Sequence, residues 1–363
     1  MTRLRFRLTA GLLLTSLCTA FHATAAPATP KPSATPTPVP NPLQERLGRL
    51  LGPRKGTIVV MRVSDGKLLA VVNPALAAGR ALPPGSVMKV ATLVGGWQEG
   101  VVNAHRQIPC AGPKGDPPCW EVHGPIGLTG AISRSCSAFV GTVGRELGAQ
   151  RLTKWWSRLG FGHRTGVDLP QEAAGTMAEP GDRIDWAEAA VGDGTGILVT
   201  PVQLVSFYGA IANGGQRWRP TIKQPKALLG MIFPVPGGLD LSVIRQGLVE
   251  AGLSGSAKGV SPAGLAVAGK TGTAGMPGFK NRTSGWFAGY APAAHPQIAV
   301  VVELDDARGF IHAVPLAKQV FETWQTDSPG PRSPQLPPVP AAASPQRPPS
   351  PAVSPGRPPS PSH

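Results

Sequence analysis

Apolar and polar positions divide this chain into zones of different character. Leu8 to Phe21 is an apolar stretch without a charged side chain, preceded by Arg3, Arg5 and Arg7. Residues 27–42 then alternate Pro with Ala, Thr and Ser, a pattern with no apolar face to bury and an extended, semi-rigid habit. Two β-branched runs follow, Thr57–Val63 and Lys67–Val72, split by Ser64-Asp65-Gly66. Strand, turn residues and strand predict a hairpin. A helix is predicted to begin at Ser86, after Pro83-Pro84-Gly85, and helical patterning continues to about Asn213. Ala266–Thr273, Ser284–Tyr290 and Ile298–Leu304 read as strands, the last holding the unbroken apolar run Ile298–Val302. A final helix is predicted over Val314–Trp324. β-Rich ends with helices between them predict an α+β fold. Its central antiparallel sheet comes from both chain ends, flanked by helices, with an inserted all-α lobe.

The zones predict a domain order. Residues 1–26 have a basic start, an apolar stretch and the small-residue site Ala23-Thr24-Ala25, the pattern of a signal peptide. The other reading is an uncleaved anchor formed by residues 8–26; Leu17 before Cys18 disfavours a lipoprotein signal. Either way the rest is expected to be exported. Residues 27–42 are a linker, 43–326 the folded domain, and 327–363 a disordered tail with Pro-Pro-Ser-Pro repeats.

Composition changes this picture little. The chain has 363 residues, 41% of them hydrophobic, with 46 Gly and 42 Pro. The formal net charge is +15, yet no element gathers Lys and Arg with interleaved aromatics. Nucleic acid is therefore not the expected partner. A basic exterior suits an acidic cell envelope, or simply a solvated surface. Of four cysteines, Cys18 lies in the export segment. Cys110 and Cys119 bracket a Pro- and Gly-rich loop and are expected to pair as a disulfide, with free thiols as the other reading. Cys136 is then left single. Only His123 lies close enough to join a metal site, so no metal and no cofactor are expected. His123, His163, His295 and His312 show no ligand spacing and are expected on loops or the surface, while Trp155, Trp156 and Trp286 are expected in the core.

Three segments carry candidate chemistry. Ser86-Val87-Met88-Lys89 puts a hydroxyl and an amine on one helical face. A serine hydroxyl needs a base, and a buried lysine that has lost its proton can serve. Helix N-terminal N–H groups also favour developing negative charge. Lys270-Thr271-Gly272-Thr273 follows a β-branched run and falls on a strand, where Gly272 admits a close approach. The lysine and the hydroxyls of Thr271 and Thr273 suit a carboxylate; the plainer reading is a Gly-rich turn. Ser135-Cys136-Ser137 lies between these two and offers a hydroxyl relay, or a helix N-cap by Ser135.

The order of S-x-x-K, a serine-led triplet and K-T-G resembles the penicillin-binding transpeptidase family and its β-lactamase relatives. Further stretches resemble that family: Cys119-Trp120 to His123-Gly124, Leu159 to Gly162, Thr165 to Pro170 with Glu172, Gly192 to Gly196, Val199 to Leu204, and Gly285 to Pro292. The resemblance implies that Ser86 attacks a D-Ala-D-Ala stem peptide or a β-lactam, with Lys89 as base and Ser135 passing the proton to the leaving amine. It implies that Lys270 and Thr271 hold the substrate carboxylate. The N–H groups of Ser86 and Thr273 would form the oxyanion hole, and Ser137 and Gly272 would shape the substrate strand's seat. The implied partners are peptidoglycan stem peptides and β-lactam inhibitors, with membrane association through the N-terminal segment. Ser137 departs from the family's usual Asn and has a shorter reach. Two other functions remain open at this point. One is a β-lactamase, with Glu172 activating water as in class A or a carboxylated Lys89 as in class D. The other is a non-catalytic sensor of penicillin or peptidoglycan.

Overall fold

The computed structural model describes residues 41–194, 196–223, 228–231 and 241–327, the backbone alone at 228–231. The expected signal segment, most of the linker and the tail beyond Asp327 lie outside the described residues.

Helix α1 (Pro42–Leu51) starts inside the stretch expected as linker. Asn41 accepts the Gln44 N–H and Pro42 takes the first turn. Strands β1 (Gly56–Arg62) and β2 (Leu68–Val72) form the expected hairpin, whose turn is held by Arg62 and Lys67 N–H bonded to Asp65. After α2 (Pro74–Gly79) comes a 3-10 turn, Gly85–Met88, that runs into α3 (Lys89–Gln98). A ribbon of β3 (Gln107–Cys110) and β4 (Gly124–Gly127) then leads to α4 (Leu128–Ser133) and α5 (Ser137–Leu159), which is broken at Gly148. Next come β5 (Thr176–Met177), α6 (Trp186–Val191), β6 (Ile197–Leu198) and α7 (Pro201–Ala212). The strands β7 (Gln216–Trp218) and β8 (Leu228–Met231) precede α8 (Ser242–Leu253). The chain closes with β9 (Ala268–Gly275), β10 (Thr283–Ala291), β11 (Ile298–Asp305) and α9 (Val314–Asp327).

Five strands form one antiparallel sheet in the order β2-β1-β11-β10-β9. Both chain ends therefore build it, and Val59 faces Val301 across the β1–β11 seam. Each face is covered. Ile58, Val60, Val300 and Val302 pack toward α1 and α9, with Phe321 edge-on to Phe287. Val59, Met61, Ala299 and Val301 pack toward α7 and the helices between the chain ends. A sheet covered on both faces has no polar side, which is why Ile298–Val302 is apolar without alternation.

The inserted lobe is not all-α as expected. The β3–β4 ribbon and the short β5–β6 pair lie within it. β3 and β4 are Pro- and Gly-rich, β5 and β6 have two residues each, and none is long enough to show a strand period. No helix among the described residues is long and apolar enough to cross a membrane.

Candidate active site

The Ser86 turn is clamped from three sides. Gly85 N–H donates to Gly192 O at 2.9 Å, Trp286 Nε1 donates to Pro83 O at 3.1 Å, and Tyr208 OH donates to Val87 O at 2.9 Å. Trp286 and Tyr208 are both fully buried. Carbonyls on either side of Ser86 are thus held by two rigid aromatic side chains, and the turn that carries the hydroxyl has one position. Sequence reading placed Trp286 in the core, where it is, and missed both aromatics as clamps.

Two glycines let the K-T-G strand lie against this turn. A Cβ on Gly272 would stand 2.6 Å from Pro84 O, and one on Gly85 would stand 2.6 Å from Thr273 O. Gly85 also has φ +55°, a conformation that costs other residues energy. β9 is an edge strand of the sheet, so N–H groups on its outer side are free to face the cleft.

Lys89 opens α3 and is 2% exposed. Its Nζ donates to Ser135 O at 2.8 Å, Ser137 Oγ at 2.8 Å and Ser135 Oγ at 3.3 Å. Burial pulls its pKa down to about 8, against the opposing pull of Cys119, Asp193 and Cys136. Ser86 Oγ is not among the hydrogen-bond partners of Nζ. Ser135 has φ +57°, a left-handed backbone in a residue with a Cβ. Such strain is held by its surroundings. Cys136, and not Ser135, caps α5, its sulfur accepting the Phe139 N–H at 3.4 Å. That releases the Ser135 hydroxyl to face the cleft.

Ser86, Ser135, Thr271, Gly272 and Thr273 line one cleft of about 860 Å³. Lys89, Ser137 and Lys270 lie behind its walls. Lys270 is fully buried, and its Nζ donates to Thr271 O at 3.0 Å and Ser256 Oγ at 3.2 Å. Burial first, and then the Lys89 charge, push the Lys270 amine well below the usual lysine range. The carboxylate seat implied by the sequence thus presents hydroxyls, Thr271 and Ser256, with the lysine behind them. Thr273 Oγ1 accepts the Gly309 N–H at 3.0 Å.

Other cleft residues carry no short motif. Trp120 and Phe310, 63% and 55% exposed, line it, as do Glu121, Arg134 and Arg308. Asp193, with Glu188, lines a hollow beside Thr273, and burial lifts its pKa to about 6 despite the Lys89 charge. Asp193 sits in the Gly192–Gly196 block already noted, so its neighbourhood was legible and its position was not. Ser256 carried no signal.

Glu172 is engaged elsewhere. Its carboxylate accepts the Thr165 N–H at 2.6 Å, the Thr165 hydroxyl at 2.7 Å and the Gly166 N–H at 3.0 Å. It does not line the cleft, so the water-activating role weighed for it has no geometric support. Asp305 pairs with Arg80 at 2.8 Å beside Glu303, while Asp306 holds Arg282 at 2.7 Å.

The expected disulfide is corrected. Cys110 and Cys119 are free thiols, and Cys136, unpaired as expected, lies beside them. All three are buried with His123, their ligand atoms within 4.8 Å of one another. His123 lies on a loop, as expected, but is buried there, because the β3–β4 ribbon folds that loop back onto the start of α5. The expectation of no metal rested on a sequence spacing that the tertiary fold closes.

The sheet, the Ser86 turn leading into Lys89 and the K-T-G edge strand meet at one cleft on an α+β scaffold. The family description "Penicillin binding protein transpeptidase domain" matches residues 56–322. This chain belongs to that family. It is 26% identical over 352 aligned positions to the peptidoglycan D,D-transpeptidase MrdA of Acinetobacter baumannii, covering 78% of this chain and 52% of that protein. The crystal structure of Pseudomonas aeruginosa PBP2 in complex with WCK 5153 superposes with a TM-score of 0.67 at 28% identity, covering 79% of this chain and 77% of that one. The transpeptidase domain of Burkholderia pseudomallei penicillin-binding protein 3 gives a TM-score of 0.70 at 22% identity, covering 80% and 96%, a likeness of fold. The chain spans about half the length of the curated relatives it matches.

Proposed function

We propose that this chain is an exported serine D,D-transpeptidase that cross-links peptidoglycan stem peptides through a Ser86 acyl-enzyme. One observation carries the reading: a buried Lys89, with its pKa lowered to about 8, holds the hydroxyls of Ser135 and Ser137 beside a cleft that Ser86 shares with Thr271 and Thr273.

The steps follow from that arrangement. Lys89, as the free amine, takes the Ser86 proton while Oγ bonds to the penultimate D-Ala carbonyl carbon. Negative charge grows on the carbonyl oxygen beside the N–H groups of Ser86 and Thr273. Ser135, hydrogen-bonded to Lys89 Nζ, passes the proton to the leaving D-Ala amine as the C–N bond breaks. The terminal carboxylate sits against Thr271 and Ser256, with the Lys270 amine behind them. Arg134 and Arg308 add positive potential along the cleft walls. An acceptor amine then attacks the acyl-enzyme, its proton returns through Lys89, and Ser86 leaves as the alcohol. Water in place of the amine gives carboxypeptidase activity. β-Lactams acylate the same serine. An extracytoplasmic location follows from a peptidoglycan substrate, and residues 1–26 are the proposed export segment, with 8–26 as its alternative role of anchor.

The test is labelling by a fluorescent penicillin, beside Ser86→Ala, with D-Ala release and cross-link formation from stem peptides. A stable adduct absent from Ser86→Ala, with turnover, supports the proposal. A label lost within seconds points to a β-lactamase. An adduct with no turnover of peptides points to a sensor.

A further inference from the structure

The loop between β3 and β4 and the cap of α5 bring four ligand-type side chains to one point. Cys110 ends β3, Cys119 and His123 lie in the loop before β4, and Cys136 caps α5. All four are buried. Cys110 Sγ and Cys119 Sγ lie 3.4 Å and 3.6 Å from the same His123 Nδ1, and Cys119 Sγ lies 4.0 Å from Cys136 Sγ.

Hydrogen bonding does not account for this convergence. One ring nitrogen carries one proton or one lone pair, so it satisfies one of the two sulfurs. Tetrahedral coordination accounts for it. An ion about 2.3 Å from sulfur and about 2.0–2.1 Å from nitrogen spaces its ligand atoms roughly 3.8 Å (S···S) and roughly 3.5 Å (S···N) apart. The three separations given above fall around those values, and all four ligand atoms lie within 4.8 Å of one another.

The surroundings agree. His123 Nε2 is buried with no hydrogen-bond partner, and the nearest carboxylate oxygen, Glu121 Oε2, is 3.9 Å away. With Nδ1 on a metal the ring proton must sit on Nε2, facing that carboxylate, the usual arrangement behind a metal-bound imidazole. Two sulfurs accept backbone N–H groups, Cys119 from Ser137 at 3.2 Å and Cys136 from Phe139 at 3.4 Å. Such donors suit thiolates.

We propose that Cys110, Cys119, His123 and Cys136 bind one zinc ion, which fixes the turn that presents Ser135 and Ser137 to Lys89. Three thiolates and an imidazole in a tetrahedron select zinc, and with all four positions filled by protein the ion is structural. Its place gives it a consequence for catalysis. Cys136 stands between Ser135 and Ser137, and Cys119 holds the Ser137 N–H. The left-handed backbone at Ser135 is then pinned through its neighbour's sulfur. Ser137, shorter than the family's usual Asn, is held by its own main chain at the height where its hydroxyl meets Nζ. The link to Lys89 rests on the proposed function; the metal site itself does not.

The test uses the whole protein purified under reducing conditions without chelator. Elemental analysis is expected to give one zinc per chain. Exchange with Co(II) is expected to give the thiolate-to-cobalt charge transfer and intense visible bands of a tetrahedral site. Cys110→Ser and His123→Ala, which remove direct ligands, are expected to weaken metal binding by more than the roughly 10–100-fold that loss of an outer-shell partner costs. Zinc removal from the wild type is expected to slow penicillin acylation by about 10–100-fold, with recovery on adding zinc back. If a variant fails to fold, the wild-type cobalt spectrum still decides. No bound zinc together with no tetrahedral cobalt spectrum overturns the proposal, as does a Cys110–Cys119 disulfide in unreduced peptides of the native protein. Unchanged acylation after full zinc removal overturns its second half. A wild type that holds zinc and never reacts with penicillin refutes the proposed function and leaves the metal site standing.

Discussion

Lys89 Nζ donates to Ser137 Oγ at 2.8 Å, so the third residue of the second motif is tied to the helix that follows the Ser86 turn. Ser137 also starts α5, and its N–H bonds to Cys119 Sγ. One residue, through its hydroxyl and its main-chain N–H, therefore joins the proposed base to two other elements. Removing its hydroxyl leaves a buried amine with one fewer acceptor. Ser137→Ala is expected to lower the rate of penicillin acylation by roughly 10-fold or more, the scale of a hydrogen bond to a charged group. Stopped-flow acylation at fixed pH measures it. Unchanged acylation would show that Ser135 alone positions Lys89.

The lowered pKa of Lys89 sets the pH dependence. The free amine is the proposed base, so acylation is expected to rise as pH rises through about 8 and then level off. Stability moves in the same direction. The unfolded lysine binds a proton up to its ordinary value of 10.5, while the folded one releases it near 8. The unfolded state thus holds more protons between these values, and stability rises with pH across that window. Lys89→Met is expected to remove the inflection and cut acylation by about 100-fold or more. A pH–rate profile without an inflection in the wild type would contradict Lys89 as base.

Gly272→Ala tests the close approach of β9 to the Ser86 turn. Its Cβ would press on Pro84 O, which is backbone and cannot swing aside. A loss of about 1–3 kcal/mol in stability is expected, with acylation lost further than stability explains. Denaturant melts beside penicillin labelling of the folded fraction separate the two effects.

Glu172→Gln is expected to lower stability by about 1–3 kcal/mol, since the carboxylate satisfies Thr165 and Gly166. It is expected to leave the lifetime of the penicillin adduct unchanged. A lifetime that lengthens in this variant would revive a deacylating role for Glu172.

Glu303 is buried beside Arg80, and burial raises its pKa from 4.5 to about 7. A raised carboxyl pKa means that the folded state holds more protons than the unfolded one between these values. Stability is then lost as pH rises from about 4.5 to 7. Glu303→Gln is expected to flatten that slope and to stabilise at pH 8 by up to about 2 kcal/mol, because Asp305 still pairs with Arg80. Thermal melts across pH measure this.

The sequence by itself determined a good deal. A β-branched hairpin at one end and three strands at the other, one of them unbroken in its apolar run, specify a sheet built from both chain ends. Period and turn chemistry are local, so they are legible locally. Ser86 and Lys89 were legible because three residues of helix bring them together, and Lys270 to Thr273 because one strand carries them. What the tertiary structure alone decided is everything that depends on distant segments meeting. Tyr208 and Trp286 hold carbonyls in the Ser86 turn, more than a hundred residues away in sequence. Lys270 withdraws behind Thr271 and Ser256 because α8 delivers Ser256 to β9. Cys110 and Cys119, a bracketed loop in sequence, do not close on each other. The β3–β4 ribbon carries them and His123 to Cys136, and that meeting turns an expected disulfide into a four-ligand pocket. Spacing along a chain measures reach within one element. It does not measure distance across a fold, where hydrophobic burial of the ribbon against α5 sets which side chains converge.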